Sequence, residues 1–232
     1  MKRLFLFLFS FIIFIADAQS PEQRAEVTLQ TTKGKIVLAL YNQTPLHRDN
    51  FLRLVNEGFY DGLLFHRIIQ QFMIQSGNEG SRNVPASEYH SAKTSDSERI
   101  PAEIRYPELF HRRGVLAAAR EGDEVNPQRA SSNSEFYIVW GKYFSPRDMR
   151  EMQEKVNERE DSTARVTFTQ EIIDAYEIDG GTPHLDGNYT VFGEVIKGLD
   201  VVGNIQDVKT DSLDRPIKDV RIKKAWVSKP LK

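Results

Sequence analysis

Cysteine is absent from the 232 residues. That excludes disulfide staples, thiolate metal sites and thiol nucleophiles together. It leaves the compartment open, because a chain without thiols is indifferent to redox. One-sided charge is absent too: the net charge is -2, which gives no footprint for nucleic acid. His66, His90, His111 and His184 are scattered, without the close spacing that metal ligands share, so no metal site is read. There is no G-x-S-x-G elbow and no phosphate-binding loop, and Gly180-Gly181 is too short for a dinucleotide fingerprint. Glu121 and Asp123 sit in a polar loop and read as solvated rather than catalytic. Hydrolysis by an activated nucleophile, phosphoryl transfer and redox chemistry are therefore poorly supported, and no cofactor is expected. Beyond the N-terminus, no stretch is apolar enough to span a bilayer, which takes ~20 residues.

What is present starts with that N-terminus. Met1-Lys2-Arg3 is basic, Leu4–Ile15 is apolar apart from Ser10, and Ala16-Asp17-Ala18 has small residues at both key positions. This is the anatomy of a secretory signal peptide over 1–18, with export to the periplasm or medium and no membrane anchor after cleavage. A loose leader is expected over 19–25 and one domain over 26–228. Apolar residues make up 40% of the chain, enough for a sizeable core in a domain of this length.

Alternating runs at 26–32 and 35–41 around Lys33-Gly34 read as a β-hairpin. Thr44-Pro45 reads as an N-cap and first helical residue, with Phe51, Leu54 and Val55 on one face and Gly58 ending the helix. Short strands follow at 65–69, 72–74, 115–119, 136–140, 190–196 and 220–227, with a short helix at 199–205. Between them, 142–179 changes pattern: Ser145-Pro146-Arg147-Asp148 is a capping box, and Phe168, Ile172, Ile173 and Tyr176 share one side of a second helical segment. The charged remainder of 142–179 reads as a solvated surface excursion. Many short strands without regular βα alternation argue for a mainly β barrel.

The densest stretch is Leu64–Gly77, two apolar runs around Gln70-Gln71 with Arg67 inside the first. A guanidinium among apolar neighbours must be paired or functional, since burying it alone is costly. Phe65-His66-Arg67-Ile68-Ile69 and Phe72-Met73-Ile74-Gln75-Ser76-Gly77 together resemble the signature of the cyclophilins, the peptidyl-prolyl cis-trans isomerases. Gly114–Ala119, Ser132–Ile138, Leu185-Asp186-Gly187 and Val191-Phe192-Gly193 resemble further family motifs in the same order, over roughly 26–227. The resemblance implies a closed, eight-stranded antiparallel β-barrel capped by two helices, with 142–179 as a helical insertion. It implies an enzyme acting on proline-containing unfolded or partly folded polypeptides; the acid–base balance predicts no self-association, so a monomer is expected.

Residue by residue, the resemblance makes Arg67 the catalytic arginine and Gln75 the glutamine that holds it. It assigns the proline pocket to Phe72, Met73, Tyr137 and Leu185, and the neighbouring groove to Ala119. Arg120 stands where the family commonly has an asparagine whose backbone grips the peptide, so its side chain is not expected to matter. His184 stands at the groove rim, where some members carry tryptophan. Read without the resemblance, Phe72, Met73, Tyr137 and Leu185 are ordinary core residues and Arg67 a structural ion pair; Phe65 and His66 are assigned to the core in either case. Tyr137 replaces a phenylalanine and adds a hydroxyl. Glu135 replaces a glutamine, and its carboxylate is expected to pair with Arg67. A peptide-binding module that has kept the groove without turnover is the competing function class.

Overall fold

The computed structural model describes residues 23–89, 98–158 and 165–231. The expected signal peptide, most of the leader, and His90 lie outside the described residues.

Among the described residues eight strands, all paired antiparallel, form one curled sheet in the order β3-β4-β6-β5-β7-β2-β1-β8. They are β1 (Glu26–Thr31), β2 (Lys35–Leu40), β3 (Arg67–Ile69), β4 (Met73–Ser76), β5 (Val115–Ala118), β6 (Phe136–Val139), β7 (Val191–Lys197) and β8 (Ile222–Lys229). Alternation decides which face is buried. Val27 and Leu29 of β1 and Ile36, Leu38 and Leu40 of β2 all point inward and are fully buried.

Four helices accompany the sheet among the described residues: α1 (Pro45–Asn56), α2 (Pro146–Asn157), α3 (Gln170–Ile178) and α4 (Leu199–Gln206). α1 buries Phe51, Leu54 and Val55 in the main core, and α4 buries Val202 and Ile205 there. Each such side chain contributes about 1.5–3 kcal/mol.

The regular ladder leaves β3 and β8 as its two edges. They approach through irregular bonds: Leu64 bridges Arg221, Phe65 N–H donates to Val220 at 2.8 Å, and Ile222 N–H donates to Leu63 at 2.9 Å. The eight antiparallel strands match expectation, whereas regular pairing all the way round does not occur.

The start of α1 differs from the sequence reading. Thr44 makes no side-chain cap. Instead the carboxylate of Glu103, far along the chain, accepts from Leu46 N–H at 3.2 Å and His47 N–H at 3.0 Å. It also accepts from His47 Nδ1 at 2.7 Å, while His47 Nε2 lies 2.9 Å from Ser131 Oγ. A buried carboxylate at a helix N-terminus satisfies free N–H groups and meets the positive end of the helix dipole.

The helical excursion also differs. Ser145 and Asp148 form the expected capping box, and Thr169 caps α3, so Phe168 precedes that helix rather than lying in it. The pair is not merely solvated. Met149, Val156, Val166, Phe168, Ile172 and Tyr176 build a small core of their own. The excursion enters and leaves at one point, where Gly181 N–H donates to Lys142 at 2.8 Å and Lys142 N–H donates to Gly181 at 3.1 Å.

Candidate active site

Register places three of the candidate residues, Arg67, Gln75 and Tyr137, in one row. Arg67 pairs with Gln75, Gln75 with Tyr137, and Tyr137 with Ala117, across β3, β4, β6 and β5. The adjacent row is Ile68, Ile74, Ile138 and Leu116, each at most 1% exposed and part of the inner core. Successive strand residues face opposite ways, so the Arg67 row lies on the outer face of the sheet. Arg67 is thus not buried among the isoleucines that flank it in sequence. Its side chain is 44% exposed, with Nε 3.5 Å from Asp214.

This outer face floors a groove of about 540 Å³. Phe72, Met73, Tyr137 and Leu185 form one apolar part of its lining, and Arg67, Gln75, Ala119 and Arg120 also border it. Met73 and Tyr137 are nearly buried, at 2% and 5% exposure. His184 does not line the groove but stacks on Phe72, with ring centroids 5.4 Å apart. Gly77 ends β4 at φ +104, and a Cβ there would lie 2.1 Å from the Ser134 carbonyl. Only glycine lets β4 pass this close to the segment leading into β6.

Three assignments change. Glu135 accepts from Gln75 Nε2 at 2.8 Å and from Asn78 Nδ2 at 2.9 Å. Its carboxylate therefore grips the glutamine beside Arg67, and Asp214 stands at the Arg67 Nε. Arg120 is held by its side chain, which is 4% exposed. Its Nε donates to Asn188 O at 2.8 Å, its Nη1 pairs with Asp123 at 2.6 Å, and its guanidinium lies 4.5 Å over the Tyr189 ring. Asp123 is thus an ion-pair partner that is still 54% exposed, in keeping with a solvated rather than catalytic carboxylate. His66 lines the groove, unlike the fully buried Phe65. Burial lowers its pKa, against the opposing pull of Glu135, whose Oε2 is 3.8 Å from Nε2. The imidazole is neutral at neutral pH, and its buried Nδ1 has no hydrogen-bond partner among the described residues.

Sequence reasoning missed Tyr89, Tyr189, Leu213 and Arg215, which complete the lining, and Asp214. Leu213 is 65% exposed, an isolated apolar residue in a polar loop. That oddity is the one signal the sequence offered.

Behind the Tyr137 side of the groove the site is densely bonded. Tyr137 Oη lies 3.0 Å from His111 Nε2, and His111 Nδ1 lies 2.9 Å from Asp186 Oδ1. Asp186, fully buried and next to Leu185, also accepts from His111 N–H at 2.8 Å and Tyr176 Oη at 2.7 Å. Burial raises the Tyr137 and Tyr176 hydroxyls well above the usual phenol range, with nearby negative charge adding to it. Both stay protonated. Among the described residues no group of three or more His, Asp or Glu is arranged to hold a metal, and no helix is long and apolar enough to cross a membrane.

The family model for "Cyclophilin type peptidyl-prolyl cis-trans isomerase/CLD" matches residues 26–227. The chain belongs to the cyclophilin-type peptidyl-prolyl cis-trans isomerases. A Staphylococcus aureus protein named as a peptidyl-prolyl cis-trans isomerase is 31% identical over 198 residues, 85% of this chain and 88% of that one. A Streptococcus pyogenes protein named as a bifunctional phosphatase/peptidyl-prolyl cis-trans isomerase is 32% identical over 200 residues. The match covers 85% of this chain and only 37% of the streptococcal protein. Among solved structures, a Cryptosporidium parvum cyclophilin-type isomerase superposes with a TM-score of 0.62 at 23% identity, covering 90% of this chain and all of that one. A second structure of it, in the presence of the dipeptide Ala-Pro, gives 0.60 at 22%, covering 88% and 99%. At these identities the superposition establishes a shared cyclophilin-like fold.

Proposed function

We propose that this cyclophilin-type chain accelerates X–Pro isomerisation in unfolded or partly folded polypeptides, using Arg67 to stabilise the twisted amide. Resonance gives the amide C–N bond double-bond character and a barrier of ~18–20 kcal/mol. Rotation needs no nucleophile, metal or cofactor, only a site that binds the twisted amide better than either planar form. Twisting restores a lone pair on the prolyl nitrogen. A guanidinium aimed at that nitrogen meets the lone pair only in the twisted state, which is the condition for raising kcat rather than merely tightening binding. Arginine suits the task because it stays charged and presents rigid donors.

The observation that carries this reading is the cross-strand pairing of Arg67 with Gln75 beside the apolar wall of Met73 and Tyr137. The apolar wall would take the proline ring, leaving the prolyl nitrogen toward Arg67. Gln75, fixed by Glu135, would hold the peptide backbone. The basic, apolar and small-residue stretch at 1–18 supports a role in folding exported proteins. The bonds joining 63–65 to 220–222 support a barrel that is closed in function, its β3 and β8 edges tied without a regular ladder.

Proline-limited refolding of a client, with wild type and Arg67→Ala, tests the reading. Acceleration by wild type alone is expected. Equal acceleration by both variants rejects catalysis by Arg67, and acceleration by neither favours a binding module.

A further inference from the structure

We propose that Tyr176, Asp186 and His111 are positioning residues for the proline pocket, which makes the helical excursion part of substrate recognition. The inference rests on the isomerase reading of the groove. Tyr176 belongs to α3, inside the excursion, yet it is fully buried and reaches Asp186 Oδ2 at 2.7 Å. The chain of bonds then runs through His111 to the hydroxyl of Tyr137, a residue of the groove wall.

A carboxylate oxygen accepts, so His111 faces Asp186 with a donor when its Nδ1 carries a proton. His111 Nε2 lies against the Tyr137 hydroxyl, which can serve as donor or acceptor there. The Tyr176 hydroxyl donates to the other carboxylate oxygen. Every bond thus has a donor and an acceptor available. A buried network satisfied in this way rigidifies its members, whereas a partly satisfied one is costly.

Two pocket residues are fixed by it. Tyr137 is held through its hydroxyl, and Leu185 through its peptide link to Asp186. Glycine makes the approach possible. A Cβ on Gly181 would lie 2.3 Å from the His111 carbonyl and 2.6 Å from Tyr176 Cε1. The ring of Tyr176 is itself packed by Phe110, Phe144 and Phe168, so removing its hydroxyl alone leaves its seat intact.

The test compares wild type, Tyr176→Phe, Tyr137→Phe and the double variant. For each, kcat and KM are measured on a short peptide with one Ala-Pro bond, its Kd by calorimetry, and Tm. Tyr176→Phe is expected to raise KM and Kd about fivefold, the scale of coupling within one hydrogen-bond network, with kcat within twofold of wild type. The double variant is expected to bind no worse than the weaker single variant, because either change opens the same chain. A Tyr176→Phe enzyme with wild-type KM and Kd, whatever its Tm, overturns the proposal. So do single effects that multiply in the double variant. Calorimetric binding needs no turnover, so it tests the relay even if Arg67→Ala shows that the isomerase reading is wrong.

Discussion

The two sides of the groove are built on opposite principles. At the Arg67 side, the key charge is nearly half-exposed and its carboxylate partner Asp214 is 40% exposed, at 3.5 Å. At the Tyr137 side, His111 and Asp186 are at most 1% exposed, with every bond between 2.7 and 3.0 Å. A loosely held guanidinium can turn its donors toward a substrate, and an exposed pair is worth little to stability. A buried carboxylate is different, because any lost partner leaves an uncompensated polar group. The comparison teaches that donor and pocket are separable: changes on one side should read out in turnover, and changes on the other in binding and stability.

The largest break in that division should come from Arg67→Ala. Loss of a transition-state donor costs about 100-fold or more in kcat/KM, while thermal unfolding should barely move. A parallel collapse of Tm and activity would show that Arg67 holds the fold instead. Gly181→Ala attacks the other side. With φ at +152 and the His111 carbonyl oxygen 2.3 Å from the new Cβ, a loss of about 3 kcal/mol of stability is expected. Chemical denaturation measures it, and an unchanged midpoint would mean that the excursion does not dock at this point.

Acidification sharpens the contrast without mutation. Burial lowers the pKa of both His47 and His66 below the usual 6.5, although Glu103 and Glu135 respectively pull the other way. The unfolded chain then binds more protons than the folded one below about pH 6.5, so stability falls as pH falls. Tm should decline from pH 7.5 to 5.0. A flat or rising profile across that window contradicts neutral buried imidazoles.

Glu135→Gln is a smaller test on the Arg67 side. The carboxylate accepts from two amide groups at once. A glutamine offers one carbonyl oxygen, so its own amide would face a donor unless Gln75 or Asn78 turns. A change of about two- to fivefold in kcat/KM is expected, of the size of one neutral hydrogen bond. Identical kcat/KM for the two enzymes from pH 5 to 8 would leave Glu135 without influence on Gln75. Smallest of all, Asp214→Asn should alter stability by less than about 0.5 kcal/mol, measured by urea unfolding. A larger loss would make the Asp214 pair structural, and erase the contrast between the two sides.

Much of this was legible in the chain. The β1–β2 hairpin followed from alternation, the excursion's first helix from Ser145-Pro146 and Asp148, and the groove wall from motifs resembling a known family. Local chemistry failed where the partner came from far away. Thr44 has the right side chain for a cap, yet Glu103 does the capping. Glu135 is a plausible partner for Arg67, yet Asp214 stands beside it. The charged surfaces of α2 and α3 read as solvated, and nothing near Tyr176 in sequence announces that its hydroxyl ends on Asp186.

The sequence by itself determined the strand periodicity, the faces of the helices and the residue types at the groove, because these depend on side chains two to four positions apart. Tertiary structure alone decided how Arg67 is paired, how Arg120 is anchored, and that the excursion reaches the Tyr137 wall of the groove. Those outcomes depend on which polar groups become buried together, and burial forces each of them to find a partner wherever the chain supplies one.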